Sequence, residues 1–277
     1  MAIPLTRIQK QRLRELNAPE QLYENCYHSV QERDKEFQKM EKNLVDKGRK
    51  TLMNLRDCNR RPMLCELEAK LVNALRAEGF VQVVTPVLLS KGLLEKMSIT
   101  LKHPLSKQVY WVDNNKCLRP MLAPNLYSLL RRLVRLWEMP IRIFELGPCS
   151  RKETRGVSHL NQFTMLNLVE LGLPEEGRFK RLEELAQLVM EAAGIMQYQF
   201  VMRSSDIYGE TIDIVKEIEL CSCAMGPIPL DEAWGIMDPW VGIGLGLERV
   251  IMVREGDQNI QRVGRSLIYL DGVRLNI

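Results

Sequence analysis

The segment WVGIGLGLERVIMVREG, residues 240–256, decides the fold class. It begins as an apolar strand, passes through alternating glycines and continues as a helix. A dinucleotide-binding interpretation of such glycines requires a following βαβ unit with an acidic residue about 20 positions further on. Only 31 residues follow Gly246, and they contain no such crossover, so a doubly wound fold is rejected.

The segments that precede residues 240–256 predict an antiparallel sheet. Four runs are typical of strands: IRIFEL (141–146), FTMLNLVEL (163–171), TIDIV (211–215) and EIELCSCAM (217–225). A helix over residues 176–193, closed by Gly194, and an earlier helix between Pro62 and Gly79 accompany them. Successive strands with few helices between them indicate an α+β fold, with an antiparallel sheet flanked by helices.

The N-terminal residues 5–57 are predicted to be mostly helical and are highly charged. Their basic side chains suit RNA contact, but the acidic residues between them reduce the positive electrostatic potential. A solvated helical arm explains the composition equally well. The net charge of +4 is too mild to decide between the two. We therefore divide the chain into an N-terminal helical region at residues 1–60 and a larger α+β domain at residues 61–277.

The composition argues against several other classes of protein. No stretch reaches the ~18–20 consecutive apolar residues of a membrane span, and the N-terminus lacks the apolar run of a signal peptide. The seven cysteines form no C-x-x-C pair, and the three histidines lie far from them in sequence. Neither a zinc site nor a disulfide framework is indicated, so we expect reduced thiols in the cytoplasm.

The alternating glycines have a functional interpretation of their own. In a strand they clear one face of the sheet, so that a flat ligand can lie against it. Arg249, at the start of the helix that follows, is then placed to stack its guanidinium over that ligand. Close packing of sheet and helix with a surface arginine explains the pattern equally well.

A second candidate is FELGPCSRKETRGVSHLNQF, residues 144–163, in which two strands enclose a basic polar loop. Arg151 and Glu153 suit chemistry at a phosphate, since the arginine offers a fixed fork to oxygens and the acid can accept from an exocyclic amine. A hairpin with a solvated charged tip is the ordinary alternative.

Asn167 interrupts an apolar run, and a buried amide without a hydrogen-bond partner costs ~1–3 kcal/mol. Its side chain must therefore form a hydrogen bond to the backbone or to a substrate.

The order of three segments is more specific than any one of them. A helix, the strand FVQVV (80–84) and Pro86 come first, Arg151-x-Glu153 follows, and the glycines before Arg249 end the series. This order resembles the three motifs of class II aminoacyl-tRNA synthetases, which implies a catalytic domain at residues 61–277.

Further segments narrow the resemblance to the pyrrolysyl-tRNA synthetase family, over nearly the whole chain. They are LRPMLAPNLY (118–127), FTMLNL (163–168), Tyr208-Gly209 and YLDGVRLNI (269–277). The chain is similar to the separate bacterial catalytic subunit, or to the archaeal form that lacks the N-terminal tRNA-binding domain.

The resemblance implies a site for ATP and Mg²⁺. It comprises Arg151, Glu153, His159, Leu160, Phe163, Glu219, Leu220, Ser222 and Arg249. Arg151 and Arg249 are implied as the catalytic pair, and Glu219 and Ser222 as the metal site. Glu153 is expected to contact the adenine, with Phe163 and Arg249 on its two sides. Simple strand alternation places Glu219 and Ser222 on opposite faces, so a bulge or bend must bring them together.

The same resemblance implies a long apolar pocket for the amino acid. Its members are Leu122, Ala123, Leu126, Tyr127, Leu130, Asn167, Val169, Tyr208, Ala224, Trp240 and Gly242. Asn167 is expected to bind the carbonyl of the substrate side chain, and Tyr208 to act as a lid. Without the resemblance, ordinary core packing explains most of these residues better.

The implied activity is ligation of pyrrolysine to its amber-suppressor tRNA through an aminoacyl-adenylate, by a homodimer and with or without a separate tRNA-binding subunit. Ser150, Gln162, Ile243 and Cys223 depart from the usual pattern, and they bear on substrate preference more than on the reaction. The alternatives are a paralogue for another bulky amino acid, a non-catalytic paralogue that binds RNA or a metabolite, and an enzyme that passes an adenylate to a small molecule or protein. Intact motifs argue against the second, and the basic N-terminal arm against the third.

Overall fold

The computed structural model describes residues 2–152 and 159–277. The helices are α1 (Arg7–Glu15), α2 (Val30–Asp57), α3 (Met63–Ala77), α4 (Lys91–Lys96), α5 (Ala123–Leu133), α6 (Arg178–Ala193), α7 (Pro229–Glu232) and α8 (Leu247–Glu255). The strands are β1 (Ile3–Pro4), β2 (Cys26–Tyr27), β3 (Val81–Gln82), β4 (Leu88–Ser90), β5 (Lys116–Leu118), β6 (Ile141–Ser150), β7 (Gln162–Leu171), β8 (Gln199–Ser205), β9 (Gly209–Lys216), β10 (Ile218–Gly226), β11 (Trp240–Gly246), β12 (Tyr269–Leu270) and β13 (Val273–Arg274).

The chain forms two compact units. The first contains the residues up to Met63 together with Gln261–Ile277, and the second is Leu64–Ile260. The expected division at residue 60 lies close to the end of the N-terminal part of the first unit. Residues 261–277, which the sequence assigned to the larger domain, belong to the first unit instead.

The first unit is built around α1 and α2. Thr6 and Gln9 cap α1 reciprocally, each side chain accepting from the other's backbone N–H. Leu13 is fully buried in a small core of its own. Asp271 joins the two parts of this unit, because its carboxylate accepts from Met63 N at 2.7 Å and pairs with Arg60.

The second unit is built on a seven-stranded sheet in the order β3-β6-β7-β11-β10-β9-β8. Every neighbouring pair is antiparallel except β3 and β6, which are parallel at one edge. Helices flank this sheet, with α6 and α8 contacting β11 and β7. The predicted α+β fold is confirmed, and β11, the strand of alternating glycines, lies in the middle of the sheet.

Two predicted helices form because their apolar residues repeat at helical spacing. In α3 the buried positions are Leu67, Leu71 and Leu75. The helix α6 ends where Gly194 adopts φ 76°, a left-handed conformation that a residue with a side chain rarely takes.

The strand predicted at residues 80–84 is reduced to Val81–Gln82. The ladder to β6 ends after Val83 N donates to the carbonyl of Phe144 at 2.8 Å. Beyond it, Thr85 donates through its backbone N–H and its hydroxyl to the carboxylate of Glu145, at 3.0 and 2.6 Å. A side chain on β6 therefore takes the place of the next backbone partner.

Among the helices at residues 2–152 and 159–277, none combines the length and apolarity that a membrane crossing demands. All seven cysteines are free, and four of them, Cys117, Cys149, Cys221 and Cys223, are buried.

Candidate active site

A cavity of about 520 Å³ is lined by β11 and its neighbours in the second unit. Its volume lies in the range of small-molecule sites, ~300–1,000 Å³. The expected site residues that line it are Ala123, Leu126, Tyr127, Leu130, Arg151, His159, Leu160, Phe163, Asn167, Val169, Tyr208, Glu219, Leu220, Ser222, Ala224, Trp240, Gly242 and Arg249. One cavity therefore brings together residues expected at the nucleotide and at the amino acid.

The register of three strands places polar groups beside a glycine. Gly244 on β11 pairs with Asn167 on β7 and with Ser222 on β10. Residues paired in register share a face of the sheet, so both polar side chains flank the central strand on the cavity side. Gly244 places no side chain between them, and a Cβ there would make ordinary van der Waals contact with Asn167 Oδ1 at 3.7 Å.

Gly242 forms the next row, between Val169 and Ala224. A Cβ at this position would lie 3.2 Å from Trp240 Cζ3 and 3.3 Å from the carbonyl oxygen of Leu168. These contacts are tight, so a larger residue would displace the indole or the strand. The glycine therefore serves both the open face and the packing of Trp240.

Arg151 is held from two sides. Its Nε donates to the carbonyl oxygen of Pro120 at 2.8 Å, and its guanidinium lies 5.4 Å from the centre of the Phe163 ring. The backbone N–H of Arg151 donates to Asn161 at 3.0 Å, at the base of the loop. The fork of the guanidinium is therefore oriented before a ligand binds, which reduces the entropy lost on binding.

Arg249 is positioned through its neighbour Glu248, which is 1% exposed. The carboxylate of Glu248 accepts from the Thr164 backbone N–H at 2.9 Å and from its hydroxyl at 3.0 Å. This contact joins the first turn of α8 to β7. Arg249 Nη1 lies 3.6 Å from Glu219 Oε1, so its position is shared between α8 and β10.

A bulge in β10 resolves the geometric problem of Glu219 and Ser222. Glu219 pairs with Val215, but Cys221 pairs with Ile214, so Leu220 is the extra residue in the register. Glu219, Leu220 and Ser222 all line the cavity. Burial raises the pKa of Glu219, and the charge of Asp213 adds to this rise while Arg249 opposes it.

The apolar end of the cavity is bounded by aromatic rings. Tyr127 on α5 and Trp240 on β11 meet edge to face, with centroids 6.2 Å apart and planes at 87°. Asn167 Nδ2 donates to the carbonyl of Ile243 at 3.3 Å, so the side-chain amide has the backbone partner that was one of the two expected possibilities. An amide nitrogen carries two hydrogens, so one donor remains for a ligand.

Two expected residues are not among the described walls of the cavity. Leu122 is 0% exposed, because it stands at the cap that precedes α5 and its side chain packs in the interior. Its neighbour Met121 lines the cavity instead. Glu153, expected at the adenine, lies outside the residues that the structure describes.

The four departures from the family pattern differ in their surroundings. Ser150 is buried and donates from its backbone to Arg119, whereas Gln162 is exposed. Ile243 and Cys223 pair in register, both fully buried, one position out of step with the glycines. Their side chains therefore point away from the face that carries the glycines. Ile243 still contributes to the lining of the cavity, whereas Cys223 is not among its described walls.

Sequence reasoning missed several walls of the cavity. Leu105 and Gln108 belong to a short 3₁₀ segment that His103 caps. Gln108 O accepts from Lys152 N at 2.7 Å, beside Arg151. His103 Nε2 is buried without a hydrogen-bond partner among the described residues. No spacing rule in the sequence connects this segment to the motifs; only His103 itself, a polar residue before Pro104, offered a signal.

Comparisons with known proteins support this arrangement at two levels. The family model of the tRNA synthetase class II core domain (G, H, P, S and T) matches residues 110–228. Threonine–tRNA ligases from Desulfosudis oleivorans and from Wolbachia pipientis subsp. Culex pipiens are 35% identical over 86 residues and 30% identical over 98 residues. These segments cover 30% and 34% of this chain but only 13% and 15% of the two ligases. They reflect a shared core.

Two solved structures match far more of the chain. The crystal structure of pyrrolysyl-tRNA synthetase from Desulfitobacterium hafniense is 55% identical, with a TM-score of 0.94, and the match covers 100% of both chains. A structure of PylSc, a pyrrolysyl-tRNA synthetase of the same organism, is 55% identical with a TM-score of 0.93, covering 100% of this chain and 99% of the other. Because this identity runs the full length and does not stop at the shared core, the chain belongs to the pyrrolysyl-tRNA synthetase family of class II aminoacyl-tRNA synthetases.

Proposed function

We propose that this protein activates pyrrolysine with ATP and transfers it to its amber-suppressor tRNA. The observation that carries the proposal is the 55% identity to pyrrolysyl-tRNA synthetase along the whole chain. The geometry supports it, since Arg151 and Arg249 line one part of the cavity, whereas apolar and aromatic side chains line another part.

At the nucleotide end, Arg151 binds the amino-acid carboxylate and the α-phosphate. Its guanidinium is anchored through Nε on Pro120, which leaves the outer N–H groups to form paired bonds to oxygens. Phe163 and Arg249 lie on the two sides of the adenine, and His159 and Leu160 complete the site. Glu153 contacts the exocyclic amine of the base.

Glu219 and Ser222 would hold Mg²⁺ beside the phosphates of ATP. Within the described residues, no group of three or more His, Cys, Asp or Glu side chains is arranged to hold a metal ion. Mg²⁺ suits such a site, because it is commonly bound by one or two carboxylates, water and substrate phosphates. When bound, the ion neutralises charge on the phosphates. The two residues line one cavity because of the bulge at Leu220.

At the other end, Asn167 donates its remaining N–H to the carbonyl of the substrate side chain. Val169, Ala224, Tyr127 and Trp240 enclose the apolar part of that side chain. Tyr208 closes over it as a lid from the turn between β8 and β9. Apolar walls with few polar contacts discriminate mainly by size, so close analogues of pyrrolysine are accepted as well.

The chemistry requires alignment and charge stabilisation. A carboxylate oxygen attacks the α-phosphorus, a P–O bond to pyrophosphate breaks, and an aminoacyl-adenylate forms. The nucleophile is already ionised, so no side chain must remove a proton in this step. Arg151 stabilises negative charge as it develops on the α-phosphate. A hydroxyl at the tRNA 3′ end then attacks the acyl carbon, and AMP leaves.

We further propose that the protein works in the cytoplasm as a homodimer, through the helix–strand–Pro86 segment that serves this role in class II synthetases. The N-terminal helical region, with its basic side chains, faces the tRNA. If the chain is the separate bacterial catalytic subunit, a separate tRNA-binding subunit assists it.

Pyrophosphate exchange tests the first step and tRNA charging tests the second. We expect exchange that depends on pyrrolysine, followed by charging of the amber-suppressor tRNA. Exchange without charging of that tRNA, under conditions where a known pyrrolysyl-tRNA synthetase charges it, would contradict the proposal. Exchange with another bulky amino acid alone would assign a different substrate, and none with any amino acid would indicate a non-catalytic paralogue.

A further inference from the structure

Asp231 is a buried acid that none of the sequence motifs includes. It lies in the short helix α7, after β10, and is 1% exposed. Its carboxylate accepts three hydrogen bonds of 2.7 Å, from Tyr127 Oη, Trp240 Nε1 and the backbone N–H of Ile228. Bonds of this length to a carboxylate are among the strong ones in proteins.

The two side chains bound by Asp231 are walls of the cavity and come from different elements. Tyr127 belongs to α5 and Trp240 to β11. One carboxylate therefore joins a helix and a strand of the pocket, and it holds the rings edge to face at 87°. The indole of Trp240 cannot turn without breaking its bond to Asp231, and the bond from Tyr127 Oη fixes the position of the phenol hydroxyl.

Trp240 is confined from the other side as well. A Cβ at Gly226 would fall 1.8 Å from Trp240 Nε1, so the indole lies directly against the backbone of β10. An indole N–H can only donate, and Asp231 is the acceptor that the structure provides for it. The backbone of β10 and the carboxylate of Asp231 together fix the position of the indole ring of Trp240.

Tyr127 serves as a donor to this carboxylate. Burial raises the pKa of Tyr127, and the charges of Tyr208 and Asp231 raise it further. The phenol therefore stays protonated and donates to Asp231. Burial and the charge of Asp231 also raise the pKa of Tyr208, so the expected lid residue lies within the electrostatic reach of the same carboxylate.

We propose that Asp231 is a positioning residue that sets amino-acid specificity, because it fixes Tyr127 and Trp240 and thereby the size of side chain that the pocket accepts. The inference rests on the proposed function, since it assumes that these rings enclose the amino acid. Asp231 is not among the described residues that line the cavity, so it would not contact ATP or the reacting carboxylate directly. Its effect is therefore confined to the pocket for the substrate side chain.

The substitution Asp231→Asn tests this role with little change of volume. An amide keeps one acceptor oxygen, and its NH₂ group opposes the N–H donors of Trp240 and Ile228. Pyrophosphate exchange is measured with pyrrolysine and with Nε-acyl-lysines of increasing acyl size. We expect the KM for pyrrolysine to rise about tenfold and the order of preference to change, since pocket walls discriminate by this factor. The KM for ATP should stay within about twofold.

A merely structural role predicts a different result. In that case kcat falls by one factor for every amino acid and the ratios between substrates stay constant, and this outcome would overturn the inference. The matched control is Glu170→Gln. Its carboxylate is likewise buried and is bound by Arg142 and Arg181, but Glu170 is not among the described walls of the cavity. It should lower the melting temperature and leave the preference unchanged.

Tyr127→Phe provides the test if Asp231→Asn does not fold. It keeps the ring and removes only the bond to Asp231, and we expect a smaller shift of preference in the same direction. An unchanged preference in this variant would contradict the inference. The proposed function is judged separately on the unmodified protein: if that protein fails to exchange with pyrrolysine, the function is wrong, whereas exchange with unaltered preference in the variants overturns only the role of Asp231.

Discussion

Arg119 and Glu145 form an ion pair in the interior of the second unit, with 2.7 Å between Nη1 and Oε1 and with side chains only 2% and 1% exposed. Arg119 also donates from Nε to the carbonyl of Pro148 at 2.9 Å and from Nη1 to the hydroxyl of Thr85 at 3.0 Å. The residue after Arg119 is Pro120, whose carbonyl holds Arg151. A buried ion pair therefore supports the backbone on which the proposed catalytic arginine rests.

Removal of one partner of this pair should be severely destabilising. Arg119→Met leaves Glu145 buried and uncompensated, and such a loss typically costs ~3–5 kcal/mol. We expect this decrease in the free energy of unfolding, measured by urea denaturation. Arg119→Met combined with Glu145→Gln should be less destabilising than Arg119→Met alone, because no unpaired charge remains. A double variant that equals the sum of its single variants would argue that the two residues act independently.

Arg151→Lys should impair adenylate formation without unfolding the protein. The ammonium group keeps the charge but lacks the fork, and it cannot reach Pro120 and two ligand oxygens together. Loss of one such preorganised contact typically lowers kcat by ~10²–10³-fold. The check is the pyrophosphate exchange rate beside the melting temperature, with the exposed Arg132→Ala as control. Undiminished exchange would refute the role given to Arg151.

Asn167→Asp should weaken the use of pyrrolysine. The substitution keeps the shape of the side chain but removes both N–H donors, one of which binds Ile243 and the other of which is assigned to the substrate carbonyl. The loss of a hydrogen bond at a buried site corresponds to ~1–3 kcal/mol, or roughly 5- to 150-fold in kcat/KM. The comparison with Asn167→Ala, which should admit bulkier side chains, separates lost bonding from lost volume. Equal specificity in both variants and the unmodified protein would indicate a structural asparagine.

The reactivity of the cysteines should follow their burial. Burial raises the pKa of Cys117 to about 11 and that of Cys149 to about 12, so few of these thiols ionise at pH 8. The exposed Cys26 and Cys58 should react with iodoacetamide in the native protein, since the thiolate is the nucleophile. Mass spectrometry locates the label, and denaturant should expose the buried thiols. Rapid labelling of Cys149 in the native state would show that the strand β6 opens.

The fold class could be predicted from local sequence patterns, because each helix or strand pattern depends only on residues close together in the chain. The spacing of Leu67, Leu71 and Leu75 predicts α3, and Gly194 predicts the end of α6. The extent of β3 could not be predicted in this way, because it ends where Thr85 bonds to Glu145, a residue 60 positions away. The bulge at Leu220 was required by the expected site, but its place depends on the pairing of β9 with β10.

By itself, the sequence determined the α+β class and the order of the motifs, because the glycines of β11, Arg151 and Arg249 stand in segments whose local pattern is distinctive. The other expected residues of the cavity followed from the family resemblance that this order carries. Only the tertiary structure decided which groups meet. Asn167, Gly244 and Ser222 form one row because three distant strands pair in that register. Asp231 joins Tyr127 to Trp240 for the same reason: a hydrogen bond depends on distance in space, and residues 104 positions apart in the chain carry no local signal of their contact.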